Sequence, residues 1–207
     1  MNQHKHNADA DVTPHIAPVA MTFPFGVLTG TEVQHSRKTL TDLRELFAEP
    51  EKADGSLSEE VYSVQWFAGG VAGEGSLLFG CTHLHPGRVG QEFFMTHGHF
   101  HAQSTRAEIY FVASGEGVLL RMDRSGHTWA ETMRPGSVHY IQGEHAHRTV
   151  NTGAEALVFW ACWPGDAGYD YASIASGGFG LRALAGEGEV LLVRSARSEG
   201  GTVECTR

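Results

Sequence analysis

The sequence predicts an all-β fold, an antiparallel jelly roll that forms a single domain with a few short peripheral helices. Its 207 residues suit one hydrophobic core rather than two. Short apolar or alternating segments recur along most of the chain, and clusters of Gly, Pro, Asp and Ser separate them. Many short strands with such punctuation build a sandwich or barrel, and the jelly roll is the version that fits this length.

Residues 1–20 are polar and aperiodic and carry His4, His6 and His15, which predicts a flexible N-terminal arm, with residues 21–207 as the domain. Leu40, Leu43, Leu46 and Phe47 fall at helical spacing. Thr39 stands at the N-cap with Asp42 three residues on, and Pro50 follows the end, so one short helix is expected on the outside of a larger body. Strands are then expected at Val61–Phe67, Ser76–Leu84, Glu92–Met95, Glu108–Ala113, Gly117–Met122, Thr128–Met133, Val138–Ile141, Arg148–Asn151 and Leu157–Trp163. Asp170–Ala175 reads as a helical turn and Gly188–Ser195 as a further strand, and no internal repeat interrupts the series.

Composition narrows the function. Fifteen Lys and Arg against 24 Asp and Glu give a net charge of −9, so nucleic acid is not the expected partner and an anionic ligand must be caught by a local site. The longest apolar run, Ala156–Trp163, is far short of the roughly 20 residues of a membrane helix, and the polar N-terminus lacks the apolar region of a signal peptide. A soluble, cytoplasmic protein without a membrane partner is therefore expected. Cys81, Cys162 and Cys205 lie far apart without a CxxC pair, which predicts free thiols. There is no P-loop, GxSxG or HExxH motif, and the Gly-rich stretches Gly69–Gly75 and Gly177–Gly180 lack the strand and helix that flank a dinucleotide site.

The 13 histidines are the informative excess. Residues two apart in a strand share a face, so His99 and His101 of the run Thr96-His97-Gly98-His99-Phe100-His101 converge, and His97 joins them if the strand is continuous. Glu108 offers a carboxylate from the next strand, where Tyr110 shares its face, and His147 offers a third imidazole from a later one. Any one of these is more often an ordinary polar residue; together, on successive strands, they form a ligand set. Three nitrogens and one oxygen suit Mn, Fe, Co, Ni or Zn and leave positions open for water or substrate.

Gly98-His99-x-His101 with Glu108 and Gly115, and later Gly136 with His147 and Asn151, resemble the two metal-binding motifs of the cupin superfamily. Two features depart from the common pattern: six residues separate His101 from Glu108, and Gln142 and Glu144 stand in the usual places of Pro and Gly. The longer strings Pro86–His101, Arg106-Ala107-Glu108-Ile109-Tyr110, His145–Asn151 and Asp166–Tyr171 resemble the archaeal-type, cupin-fold glucose-6-phosphate isomerases, a match running from roughly Phe23 to Gly180.

That resemblance implies a divalent metal, Fe2+ foremost, held by His99, His101, Glu108 and His147, with Mn2+, Zn2+, Ni2+ or Co2+ as alternatives. It implies a phosphorylated hexose as substrate, interconverted between glucose 6-phosphate and fructose 6-phosphate as in glycolysis and gluconeogenesis. Thr82, Thr96 and Gly98 fall where the family binds the phosphate, Tyr110 where it lines the sugar pocket, and Tyr171 near the sugar end. Glu108 is the family-like base and Tyr171 the second catalytic candidate, with His97 and His145 as spare proton carriers. Trp163 stands where a family member carries Tyr, and Tyr169 where one carries His, so roles resting on those groups do not transfer.

Independently of the family, Thr hydroxyls and a Gly N–H suit phosphate oxygens, and Arg88 or Arg106 is expected to add local charge. A metal-bound carboxylate loses basicity, so Glu108 serves as base only through a free oxygen, and a hydride shift is the other route. Two other functions fit the ligand set: a metal-dependent cupin dioxygenase with an apolar pocket, and a noncatalytic sugar-binding cupin. Exposed sheet edges and the aromatics Trp66, Phe67, Phe93 and Phe94 predict a homodimer, with core packing as the other account of those rings.

Overall fold

Alternation of apolar and polar residues, translated into inward and outward side chains, builds this fold. The structure is a computed structural model and describes residues 18–23, 25–53, 56–70, 73–175 and 178–195. The expected arm lies outside the described residues as far as residue 17, and so does Cys205.

Fifteen strands are present among the described residues, numbered here in chain order. They are β1 (Ala20–Thr22), β2 (Val27–Thr29), β3 (Gln34–Thr39), β4 (Glu60–Phe67), β5 (Leu77–Leu84), β6 (Arg88–Val89), β7 (Glu92–Phe93) and β8 (Glu108–Ser114). Then follow β9 (Gly117–Met122), β10 (Thr128–Met133), β11 (Val138–Ile141), β12 (Ala146–Asn151), β13 (Leu157–Pro164), β14 (Leu181–Ala185) and β15 (Val190–Arg194). Every strand expected from Val61 to Trp163 exists, and β9, β10 and β11 have the expected bounds. The strand expected at Glu92–Met95 stops at Phe93, and Met95 keeps only an isolated bridge to Val150. Five strands were not foreseen: β1, β2, β3, β6 and β14.

One layer is a six-stranded antiparallel sheet in the order β11-β8-β13-β5-β4-β3. The other begins as β10-β9-β12 and is extended at β12 by the irregular segment that follows β7. There Asn151 N–H bonds Phe94 O at 3.0 Å, Thr96 N–H bonds Thr149 O at 2.9 Å, and His99 and His147 exchange backbone bonds of 3.3 and 3.1 Å. A four-stranded sheet, β15-β14-β7-β6, completes this side. Two facing antiparallel layers with this connectivity make the jelly roll that the sequence predicts.

Leu84, Val112, Leu119, Met133, Ile141 and Leu157 fill the space between the layers and are fully buried. The short helix α1 (Leu40–Leu43), continued by a 3-10 turn at Arg44–Leu46, closes one side with Leu40, Leu43 and Phe47. Its start matches the expected cap: the Asp42 carboxylate accepts the Thr39 N–H at 2.8 Å. Phe47 packs on Phe94, ring centroids 6.3 Å apart. The turn expected at Asp170–Ala175 contains helix α2 (Ala172–Ala175). On the outer face, the β1–β2 hairpin covers a smaller cluster of Leu28, Cys81, Val158 and Trp160. No helix among the described residues is long and apolar enough to cross a membrane.

Both departures from the common motif pattern have local structure. Glu144, in a place usually held by Gly, adopts φ +63°, a conformation that strains a residue with a Cβ. Its N–H bonds Ser104 O and its carboxylate receives Arg124. The six residues between His101 and Glu108 form a turn whose Arg106 carbonyl lies 2.8 Å from His101 Nδ1.

Candidate functional site

Each ligand candidate reaches the site from a different piece of chain. His99 and His101 come from the segment beside β12, Glu108 opens β8, and His147 is the second residue of β12. One ligand atom from each lies within 4.8 Å of all the others, so the four side chains the sequence groups together do converge. His101 Nε2 is 3.2 Å and His147 Nε2 3.1 Å from the same atom, Glu108 Oε2. All but His99 are buried.

The donor set fits a divalent cation. Among the described residues His99 Nε2 is buried without a hydrogen-bond partner, and His147 Nε2 meets the shared Glu108 Oε2 at 3.1 Å, an expensive crowding of buried polar atoms unless the nitrogens are ligands. His101 places its Nδ1 on the Arg106 carbonyl, which fixes the tautomer with Nε2 turned to the cluster. Burial and the neighbouring His147 hold His99 well below the ordinary imidazole value, which keeps it in the neutral form that a metal ligand needs. Burial opposes a charge on His101, but its hydrogen bond to Glu108 prevails and raises it. Burial likewise opposes ionised Glu108, yet hydrogen bonds from His101 and His147 bring its carboxyl down to about 2.

The cluster stands at one side of a cavity of about 330 Å³. Thr82, Thr96, Gly98, Tyr110 and Tyr171, all singled out in the sequence, line it, as do Trp163 and Tyr169. Thr96 Oγ1 accepts the Thr149 N–H at 3.0 Å, which leaves its own O–H to donate elsewhere. Tyr110 is buried, and burial together with Glu108 drives its phenol upward, so it remains a hydroxyl donor. Tyr169 and Tyr171 stack at 5.8 Å near the opening, where both are exposed.

Several expectations need correction. His97 does not join the cluster: Gly98, at φ +74°, breaks the strand, and the His97 ring turns to meet Tyr171 edge-on at 4.4 Å. It still lines the cavity. His145 does not; its Nδ1 pairs with Arg121 at 2.9 Å. Neither expected arginine serves the cavity, since Arg88 is exposed on β6 and Arg106 binds Asp166 at 2.6 Å. The cation lining it is Lys38, from the unforeseen strand β3, which also brings Ser36. Phe94 is core, and Trp66 faces the cavity. Lys38 and Ser36 were missed because Gln34-His35-Ser36-Arg37-Lys38-Thr39 contains no apolar residue to mark a strand.

A jelly roll whose interior gathers three imidazoles and a carboxylate beside a cavity that also presents hydroxyl donors defines a cupin with a metal-ligand constellation. The sequence matches the glucose-6-phosphate isomerase (GPI) family over residues 37–199. It is 41% identical over 177 residues to the glucose-6-phosphate isomerase of Thermococcus kodakarensis, covering 83% of this chain and 90% of that one. It is 40% identical over 185 residues to that of Thermococcus gammatolerans, covering 84% and 96%. A putative glucose-6-phosphate isomerase 1 of Rhizobium meliloti is 38% identical over 152 residues, 71% and 70% of the two chains. Among solved structures, a Bacillus subtilis oxalate decarboxylase aligns at a TM-score of 0.43 with 20% identity, over 52% of this chain and 27% of that one. The chain belongs to the glucose-6-phosphate isomerase family, whose reaction interconverts glucose 6-phosphate and fructose 6-phosphate.

Proposed function

We propose that this isomerase is metal-dependent, with His99, His101, Glu108 and His147 holding one divalent ion, Fe2+ foremost, and that it works in the cytoplasm. The supporting observation is the convergence of three imidazoles and the Glu108 carboxylate, one ligand atom from each within 4.8 Å of all the others, at the wall of the cavity. When bound there, such an ion acts as a Lewis acid toward sugar oxygens that develop negative charge.

The remaining lining sorts by chemistry. Thr82, Thr96 and the Gly98 N–H offer donors to a phosphate, and Lys38 brings positive charge to the cavity wall. Tyr110, two residues after Glu108 on the same face, offers a hydroxyl to the sugar. A site with these donors and a cation suits a phosphorylated hexose better than the apolar pocket of a dioxygenase.

The net reaction moves one proton from C2 to C1 and one from O2 to O1. We assign the carbon proton to Glu108. Both imidazole contacts fall on Oε2, so Oε1 is the oxygen that accepts from C2 and returns the proton to C1, by way of an enediol. Tyr171, with His97 edge-on beside it, passes the second proton between the oxygens.

Treatment of the purified protein with a chelator, followed by readdition of single divalent ions, tests this reading. Conversion of fructose 6-phosphate, read with a coupled glucose-6-phosphate dehydrogenase, should be lost and then restored, by Fe2+ best. Full activity in demonstrably metal-free protein would overturn it.

We further propose a homodimer. The outer face of β8 and β11 pairs Phe111 with Val138 and Ile109 with Tyr140 across the strands, exposed by 38, 59, 42 and 60%. Phe23, stacked on Phe111 at 6.5 Å, extends the patch. Because β11 is the sheet edge, a second copy can be received there about a two-fold axis.

A further inference from the structure

Among the described residues, a buried cation without an ion-pair partner stands directly behind the His97–Gly98 peptide. Arg148, on β12, is 4% exposed, and its guanidinium lies over the Phe179 ring at 4.6 Å. Its Nε and Nη2 both donate to the His97 carbonyl, at 3.2 and 2.7 Å. Among the described residues no carboxylate pairs with it; Glu92 is bound instead by Arg182, at 2.7 and 2.9 Å. A buried guanidinium spent on a single carbonyl is costly for stability alone.

What it fixes is one peptide plane. A trans peptide points its C=O and N–H in opposite directions, so a carbonyl drawn to Arg148 turns the Gly98 N–H the other way. Gly98 lines the cavity. The turn is closed from behind: a Cβ at Gly98 would lie 2.8 Å from the Phe179 ring and 3.0 Å from Arg148 Cβ, at a φ of +74°. A cation on the carbonyl also polarises the peptide and makes its N–H a stronger donor to an anion.

We propose that Arg148 is a positioning residue for substrate: it holds the His97–Gly98 peptide with the N–H presented to the phosphate and reinforces that donor through the carbonyl. The inference rests on the reading of Thr82, Thr96 and Gly98 as the phosphate side of the cavity. Arg148 touches neither the sugar nor a ligand position in this arrangement, so its removal should weaken phosphate binding while leaving the chemical step in place.

The test compares the metal-loaded wild type with R148M, R148K and T96V. It reads kcat and KM for fructose 6-phosphate, competitive inhibition by inorganic phosphate, metal content and thermal midpoint. R148M should raise KM and the phosphate inhibition constant together by about tenfold, as expected for lost charge-assisted hydrogen bonding. Its kcat should stay within about threefold and its metal content should be unchanged. R148K, which can still donate to the carbonyl, should recover part of the loss. If T96V raises the phosphate inhibition constant and R148M does not, the positioning role is wrong while the phosphate site stands. If T96V also leaves it unchanged, the phosphate reading itself fails. Should R148M not fold, R148K decides: a phosphate inhibition constant within about twofold of wild type overturns the proposal.

Discussion

Glu108 is pulled in two directions. Complete burial favours a neutral carboxyl, and two imidazoles meeting at Oε2 favour the anion; the imidazoles prevail and its carboxyl is held at about 2. The site therefore carries a buried negative charge poised for a cation. Glu108→Gln keeps the shape and removes the charge. It should lower the bound metal, read by elemental analysis, and cut kcat by about 100-fold or more, since even outer groups at metal sites cost 10–100-fold. Full occupancy with unchanged turnover would sink the ligand assignment. Thr96 acts at a different place: Thr96→Val deletes the hydroxyl while preserving shape, although it also leaves the Thr149 N–H without its acceptor. KM should rise about tenfold with metal content unchanged, the loss of a hydrogen bond to a charged group.

At the scale of elements, the open seam between the layers is tied by polar groups. β10 and β11 are edges of different sheets, and Glu131 bridges them. Its Oε2 lies 2.9 Å from His139 Nδ1 and its Oε1 accepts from Arg121 at 2.9 Å. The His139 hydrogen bond, then Arg121, hold its carboxyl at about 2 against the ordinary 4.5. A depressed carboxyl stabilises the fold fully above about 4.5 and ceases to do so as pH falls toward 2. The thermal midpoint of the wild type should fall more steeply across that window than that of Glu131→Gln, which should be lower than wild type at pH 7. Parallel curves would rule out the linkage. Elements also explain what the sequence discloses. Glu108-Ile109-Tyr110-Phe111-Val112 alternates in and out, so both the strand and the shared face of Glu108 and Tyr110 are legible before folding. The β3 strand has no such pattern because its residues are polar and it forms a sheet edge, held by backbone pairing with β4. Lys38 was hidden with it. The place of His97 was open for another reason: it depends on whether the strand is continuous, and the left-handed Gly98 is a backbone fact that periodicity does not carry. The four clustered side chains were legible because metal chemistry restricts residue type more tightly than strand geometry restricts register.

At the scale of the molecule, the outer face raises a question that the core does not. Trp66, Phe93 and Phe94, whose strand positions suggested an interface, are cavity wall or packed into the core. Six of the large apolar side chains left in solvent gather on the opposite surface of the six-stranded sheet: Ile109, Phe111, Val138 and Tyr140, with Phe23 and Phe25 of the hairpin segment at 59 and 68% exposure. Apolar residues scattered singly need no explanation, but these are contiguous through cross-strand pairs and the Phe23–Phe111 stack. An isologous contact of standard size buries roughly 800 Å² on each partner, which this face together with the hairpin is placed to supply. Tyr140→Glu puts a carboxylate at the centre of the patch on a side chain that is 60% exposed in the single chain, so the fold itself should tolerate it. Light scattering after size exclusion should then give twice 22.4 kDa for the wild type and a monomer mass for the variant, with the thermal midpoint dependent on concentration only in the former. A wild type that stays monomeric at micromolar concentration, or a variant that still dimerises fully, would show that this face is not where two copies meet.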